Sequence, residues 1–349
     1  MSTWELLAEL PVEIEDYTLE ALQASVSSDF ERKSTVIHLR GRGEEGIGED
    51  VTYDAVDHEI MQAAGPVLAL AGSHTLASFS ERLGGLSLFP EPPQREVSAR
   101  YRVWAYESAA LDLALRQAGR ALHEVLGREP RPVRFVVSLR LGEPPSLEPL
   151  RRRLDAYPGL RFKLDPTSSW DQTLIAELIA TGAVDSVDFK GYYSGSIVDQ
   201  PADPVLYERV AEAFPEAWIE DPALTPETDA VLAPHRERFS WDATIHSIAD
   251  IEALPYPPRM VNIKPSRLGG LRNLLDAYDY CAERGIGNYG GGQFELGIGR
   301  AQNQYLASMF HADAPNDVAP TGFNLPVPPP GLPSSPLPPA PSGSGFRWG

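Results

Sequence analysis

Cysteine is nearly absent from this 349-residue chain, which contains only Cys281. An intrachain disulfide framework is therefore excluded, and a reducing, cytoplasmic setting is the natural expectation. Cys281 falls in a helix-like stretch and reads as packing rather than as a nucleophile. Long apolar runs are missing as well: no segment approaches the roughly 20 residues of a membrane-spanning helix. The start, Met1-Ser2-Thr3-Trp4-Glu5, has neither the basic nor the apolar region of a secretion signal. Basic side chains are few, with 30 Lys and Arg against 49 Asp and Glu and a formal charge of −19. That balance argues against nucleic acid or an anionic membrane as a partner, and most of it reads as solubility. The triple glycine Gly290-Gly291-Gly292 lacks the lysine and hydroxyl residue of a phosphate loop and so is not one; it permits close backbone approach instead.

What is present is a repeated pattern over residues 162–299. Short apolar runs end in one or two ionisable residues and are followed by helix-like stretches. The runs are Arg161-Phe162-Lys163-Leu164-Asp165, Ser186-Val187-Asp188-Phe189-Lys190, Ala217-Trp218-Ile219-Glu220-Asp221, Phe239-Ser240-Trp241-Asp242 and Val261-Asn262-Ile263-Lys264. Each reads as a buried parallel strand. Strands alternating with helices predict a (β/α) barrel, whose active site lies at the C-terminal strand ends. Carboxylates and lysines converging there point to a divalent-metal site beside an amine base. Eight strands are expected, at 134–139, 161–165, 184–190, 216–220, 238–242, 260–264, 286–290 and, most weakly, 317–320.

Residues 10–60 read as a β-meander, with Thr35-Val36-Ile37-His38-Leu39 in a strand. Turns are expected at Arg40-Gly41-Arg42-Gly43 and at Glu45-Gly46-Ile47-Gly48-Glu49-Asp50. Residues 105–127 carry the apolar face of a long helix, with Gly127 as its stop. The resulting division is an α+β domain over 1–130, a barrel over 131–324 and a Pro-rich tail over 325–349. The tail's composition favours an extended, loosely held segment. Its last residues, Phe346-Arg347-Trp348-Gly349, are suited to pin it to the body or to a neighbouring subunit.

Several motifs occur together in a telling order. They are Gly46-Ile47-Gly48-Glu49, Glu107-Ser108-Ala109-Ala110-Leu111-Asp112, Trp218-Ile219-Glu220-Asp221-Pro222, Ser240-Trp241-Asp242, residues 261–271 with Lys264 and Gly269-Gly270, and Phe294-Glu295-Leu296-Gly297-Ile298-Gly299. Jointly they resemble the enolase superfamily, particularly its muconate-lactonising and mandelate-racemase-like branch, over roughly residues 10–322. The resemblance implies an α/β fold, a modified (β/α)8 TIM barrel under an N-terminal α+β capping domain. It implies Mg2+ held by Asp188, Glu220 and Asp242 at the ends of the third, fourth and fifth strands. Lys264 fits the family's sixth-strand lysine, and Lys163 the first lysine of its second-strand pair.

Two positions depart from that pattern. Asp165 stands where the second lysine of the pair is expected, and Lys190 stands where an asparagine is usual. Residues two apart on a strand share a face, so each pair points one way. One reading is an exchange, with Lys190 supplying the charge that Asp165 no longer provides. In a second register Asp165 is the metal ligand and 184–190 an extra strand; eight strands in sequence favour Asp188.

The implied chemistry is abstraction of a proton α to a carboxylate, giving a metal-stabilised enediolate. Cycloisomerisation, epimerisation or dehydration of a small carboxylic acid follows, so an isomerase or lyase is expected; the absence of a seventh-strand His–Asp dyad leans toward the muconate-lactonising or succinylbenzoate-synthase style. Lys264 is the first choice as base, with Lys163 or Lys190 as acid or charge stabiliser. Asp165, Asn262, Arg267 and Glu295 are candidate substrate contacts. Glu295 reads equally as an acid or as a residue orienting others. Asp221 is expected to face away, His246 to pack, and Tyr192 and Tyr193 to shape the pocket. Cap segments 15–30 and 45–60 are expected to set specificity. The partner expected is a small carboxylate, with a homo-oligomer left open. A degenerate, non-catalytic barrel that binds a ligand or partner is the alternative.

Overall fold

The computed structural model describes residues 2–26, 31–193 and 200–349. At the N-terminal end, strands β1 (Pro11–Ile14) and β5 (Gly72–Thr75) pair antiparallel, while β2 (Asp16–Ser25), β3 (Glu31–Gly41) and β4 (Glu44–Asp50) form a meander. The glycine-rich run 45–50, expected as a turn, is strand β4. Its glycines serve close approach instead: a Cβ on Gly46 would lie 2.3 Å from the Ala109 carbonyl, and one on Gly48 2.1 Å from that of Ala105. The strand thus lies directly on the helix Ser98–Gln117, which is buried along most of its length. That helix begins before the expected 105 and stops at Gln117; a separate short helix, Leu122–Leu126, ends at Gly127 with φ 61°. The segments expected to set specificity, 15–30 and 45–60, are largely strand and the start of the helix Ala55–Ala64 rather than loops. Residues 27–30 of the first lie outside the described residues.

Seven parallel strands follow: β6 (Val137–Leu139), β7 (Phe162–Leu164), β8 (Val184–Asp188), β9 (Trp218–Glu220), β10 (Phe239–Trp241), β11 (Met260–Ile263) and β12 (Gly287–Gly290). They neighbour one another in sequence order within one sheet. Helices between them include Gln172–Thr181, Pro204–Ala213 and Leu271–Arg284. Alternation divides each strand's side chains. Phe162, Leu164, Val187, Ile219, Phe239, Trp241, Val261 and Ile263 are buried on one parity. Lys163, Ser186, Asp188, Glu220, Ser240 and Asn262 are buried on the other, which continues to Asp165, Asp242 and Lys264 just past the strand ends. Because β8 lies between β7 and β9, residues 184–188 are the third barrel strand and no extra strand exists in that place.

The expected eighth strand is reduced to two bridging residues. Asn316 bridges to Phe135 and Asp317 to Gly291. The Val136 N–H donates to the Asn316 carbonyl at 2.8 Å, and the Asp317 N–H to that of Gly290 at 2.8 Å. The Asn316 side chain adds to the closure: its Oδ1 accepts the Gly290 N–H at 2.7 Å and its Nδ2 donates to the Arg134 carbonyl at 3.0 Å. A side-chain amide therefore supplies edge pairing that a longer strand would supply from its backbone.

The tail also departs from expectation. It is extended but packed. Leu337 bridges Val133, Gly345 bridges Ala121, and Phe346 is fully buried against Trp104 and Tyr305. Arg347 pairs with the buried Asp112 at 2.9 Å and donates to the Glu45 carbonyl at 2.6 Å. The buried anchors Leu337, Phe346 and Trp348 outweigh the loose proline-rich composition around them. Among the described residues no helix is long and apolar enough to cross a membrane.

Candidate functional site

The C-terminal ends of β7 to β11 gather a buried cluster of charge. Asp188 is the last residue of β8 and Glu220 the last of β9, and the two are register partners. Lys163 reaches them from β7: its Nζ pairs with Glu220 Oε1, with Asp188 at 3.1 Å and with Asp317 at 3.7 Å. Burial pulls the Lys163 pKa down, but Glu220, Asp188 and Asp317 outweigh it and hold the ammonium well above its usual range. Burial, with Asp188 and Asp242 beside it, pushes Glu220 well above the usual carboxylate range despite Lys163.

Asp242, just past β10, is gripped by cations. Lys264 Nζ lies 2.7 Å from its Oδ2 and Arg267 Nη1 2.7 Å from its Oδ1. Burial alone would raise the Asp242 pKa, yet Arg267 and Lys264 hold it far below the usual range. Lys264 follows β11 and is 6% exposed. Burial, then the Arg267 guanidinium, lowers its pKa against the opposing pull of Asp242. That is the direction a general base needs. Tyr193 touches the same group, its hydroxyl 3.3 Å from Asp242 Oδ2 and 3.3 Å from Arg267 Nη2. Tyr192 leans on Trp241 instead.

Asp221 does not face away as strand alternation would have it. β9 ends at Glu220, and Asp221 takes a left-handed backbone with φ 47°, which turns its carboxylate back toward the cluster. Its oxygens accept the N–H groups of Asp242 and Ala243, each at 2.8 Å. It therefore positions the backbone that carries Asp242. Burial and the neighbouring Asp242 and Asp188 push its pKa up to about 7. Asp188, Glu220 and Asp221 each bring a carboxylate oxygen within 4.8 Å of the others. These hard oxygen donors, buried and clustered, fit Mg2+.

Lys190 reaches Asp188, though not by strand alternation, since β8 ends at Asp188. Its φ of 54° folds it back, so that its N–H donates to Asp188 Oδ1 at 3.0 Å and its ammonium pairs with Oδ2. The ammonium also lies 3.7 Å from Asp165 Oδ1. Asp165 Oδ2 is bound by Arg140 Nε at 3.0 Å. Burial raises the Asp165 pKa, opposed by Lys190 and Arg140.

The remaining candidates separate. Asn262 faces the cluster: it is 1% exposed, and neither its Nδ2 nor its Oδ1 has a hydrogen-bond partner among the described residues. A Cβ on Gly291 would sit 2.6 Å from Lys264 Cε and 2.7 Å from Asn262 Nδ2, so the glycine makes room for both. Glu295 is bound instead by Arg300 at 3.1 Å, Asn303 at 3.1 Å and the Gln293 N–H at 2.6 Å. His246 sets its ring against the Thr244 carbonyl at 3.2 Å, a packing contact. Tyr289 is a group that sequence reading passed over. Its hydroxyl donates to Glu220 Oε2 at 2.5 Å. Its register partner is Asn262, which places it on the inward parity once strand pairing is known.

A family described as a domain of unknown function, DUF8230, matches with its N-terminal domain over residues 5–125 and its C-terminal domain over 129–325. An o-succinylbenzoate synthase of Geobacillus stearothermophilus is 29% identical over 225 residues, 62% of this chain and 58% of that protein. An N-succinylamino acid racemase of Thermus thermophilus is 27% identical over 312 residues, 84% of this chain and 80% of that protein. The chain is a DUF8230 protein of the enolase superfamily. Its fold is that of muconate lactonizing enzyme from Pseudomonas putida, with a TM-score of 0.67, 17% identity and 96% of each chain covered. The DUF8230 chain carries Asp188, Glu220 and Asp242 at or just past the ends of three successive strands and Lys264 just past the next. Its match spans only 58% of the length of the Geobacillus relative.

Proposed function

We propose that the chain is a Mg2+-dependent enzyme that removes a proton α to the carboxylate of a small carboxylic acid. Cycloisomerisation, epimerisation or dehydration completes the reaction. The observation that carries this reading is Lys264: a buried amine with a depressed pKa, 2.7 Å from Asp242 and on the same strand-end face as Asp188 and Glu220. In this reading Asp188, Glu220 and Asp242 hold the cation. Asp242 is preferred to Asp221 because its partners are side-chain cations, whereas Asp221 is tied to two backbone N–H groups. Mg2+, when bound, supplies Lewis-acid polarisation of the substrate carboxylate. Lys264, neutral, takes the α-proton: the C–H bond breaks, the N–H bond forms, and the amine becomes an ammonium beside Asp242. Arg267 and Asn262 orient the acid, Asn262 through an amide that has no other partner among the described residues. Lys163 holds Asp188 and Glu220 together, and Lys190 is the second amine available to return a proton.

The test is α-proton exchange. The protein is incubated with Mg2+ in D2O and a panel of acids that includes N-succinylamino acids, and α-deuteration is read by mass. Lys264→Ala should slow exchange by about 10²–10⁴-fold and leave metal binding intact. A second reading, a non-catalytic ligand-binding barrel, draws on the ammonium of Lys190 seated on Asp188. It predicts metal binding with no exchange for any acid.

A further inference from the structure

Lys190 and Asp165 are the two positions where this chain departs from the expected pattern, and the structure places them side by side. The Lys190 ammonium pairs with Asp188 Oδ2 and lies 3.7 Å from Asp165 Oδ1. Asp165 Oδ1 is buried and has no hydrogen-bond partner among the described residues. The opposite oxygen, Oδ2, is fixed by Arg140 Nε at 3.0 Å. So the carboxylate is anchored on one side and presents an open acceptor on the other. An ammonium needs to move little to pass from one carboxylate to the next.

We propose that Asp165 is the receiving counterion of a Lys190 relay: divalent-cation binding at Asp188 transfers the Lys190 ammonium from Asp188 to Asp165. The proposal rests on the metal-site reading above. Its physical basis is simple. A divalent cation on Asp188 repels both ammoniums that share its Oδ2, Lys190 and Lys163; Lys163 keeps Glu220 and Asp317, whereas Lys190 has Asp165 to turn to. A buried ammonium driven off without a new partner would bear its full desolvation cost. Asp165 removes that cost by offering a prepared oxygen on the adjacent strand end. The pairing also explains why the two departures occur together: the lysine occupies a metal ligand, and the aspartate gives it somewhere to go. Arg140 keeps Asp165 from turning away. No proton is gained or lost in the transfer, so the relay is a change of partner alone.

The experiment is Mg2+ titration calorimetry on the full chain in a double-mutant cycle, with circular dichroism and thermal midpoints recorded for each variant. Asp165→Asn should weaken Mg2+ binding about tenfold in the wild-type background, since Lys190 then has no second acceptor. In the Lys190→Met background the same substitution should change affinity less than about twofold. Lys190→Met alone should strengthen binding about tenfold, because the competing ammonium is gone. An equal loss from Asp165→Asn in both backgrounds would reduce Asp165 to a distant charge and overturn the relay. So would unchanged or weaker binding in Lys190→Met, which stands as a test even if Asp165→Asn does not fold. Absence of Mg2+ binding by the wild-type chain would overturn the metal-site reading as well, whereas uncoupled variants of a Mg2+-binding wild type overturn the relay only.

Discussion

Glu49 Oε2 accepts the backbone N–H of Gly299 at 2.9 Å, across 250 residues of chain. The same carboxylate accepts the N–H groups of Leu296 at 2.7 Å and Gly297 at 3.0 Å. Those donors open the helix Ile298–Phe310, whose N-terminus favours a negative charge. Glu107 does likewise for the helix Leu271–Arg284, accepting the Leu271 N–H at 2.5 Å. Two barrel helices are thus capped by carboxylates of the N-terminal domain. Burial raises the pKa of both Glu49 and Glu107, and the backbone donors oppose it.

Removing the first of these clasps should loosen the cap. Glu49→Ala strips an acceptor from three N–H groups, that of Gly299 buried and those of Leu296 and Gly297 half-buried, and should cost about 2 kcal/mol of stability. The urea midpoint measures it. A midpoint within error of wild type would mean that water replaces the carboxylate.

The strap formed by residues 325–349 should be a structural member. Among the described residues, Arg347→Ala leaves the buried Asp112 with only the N–H groups of Phe346 and Ile47, 2.8 and 3.0 Å away. The expected loss is about 2 kcal/mol. Deleting the strap uncovers Trp104 and Tyr305, so the truncated chain should aggregate on heating where the full chain unfolds reversibly. Light scattering during a thermal ramp distinguishes the two.

His311 should make stability fall in acid. Its Nδ1 lies 2.6 Å from Asn316 Oδ1, and its Nε2 3.1 Å from the Tyr278 hydroxyl. Asn316 Nδ2 faces three carbonyls, which fixes Oδ1 as the acceptor and assigns the proton to Nδ1. Burial lowers the pKa to about 4, with Asn316 opposing. The unfolded chain therefore takes up a proton below about pH 6.5 that the folded chain refuses until about pH 4. Stability is full above the higher value and declines toward the lower, by about 2 kcal/mol at pH 5. Urea midpoints at pH 8 and pH 5 should differ more for wild type than for His311→Gln.

Asp242 and Asp221 should respond differently to loss of charge. Asp242→Asn removes a proposed ligand, and should weaken Mg2+ binding by more than about 100-fold. Asp221→Asn loosens only the turn that carries Asp242, with a loss of about tenfold. Calorimetry that finds the larger loss at Asp221 would transfer the ligand role to it.

The sequence was most informative where strands end. Parallel strands buried on both faces leave few reasons for ionisable residues such as Asp188, Glu220, Asp242 or Lys264 at their ends, so the pattern marked these positions, while the roles expected of them came from the family resemblance. Backbone reversals were not legible: Asp221 and Lys190 turn at positive φ, which side-chain alternation cannot foresee. The glycines of β4 misled because turn glycines and close-packing glycines look alike until the opposing helix is known. Motifs from the two ends of the chain, Gly46-Ile47-Gly48-Glu49 and Leu296-Gly297-Ile298-Gly299, are two halves of one contact, and no local pattern announces that. The eighth strand and the strap failed for a related reason. Two bridging residues and a few buried aromatics carry no periodicity.

The closure at Asn316 and Asp317 has a mechanical consequence. A stave two residues wide leaves the ring with a seam, and a ring under load parts at its seam. Amide protons of Val136 and Asp317 should exchange with deuterium before those of β9 and β10. Opening there would separate the first and last staves while the carboxylates of the opposite wall stayed together.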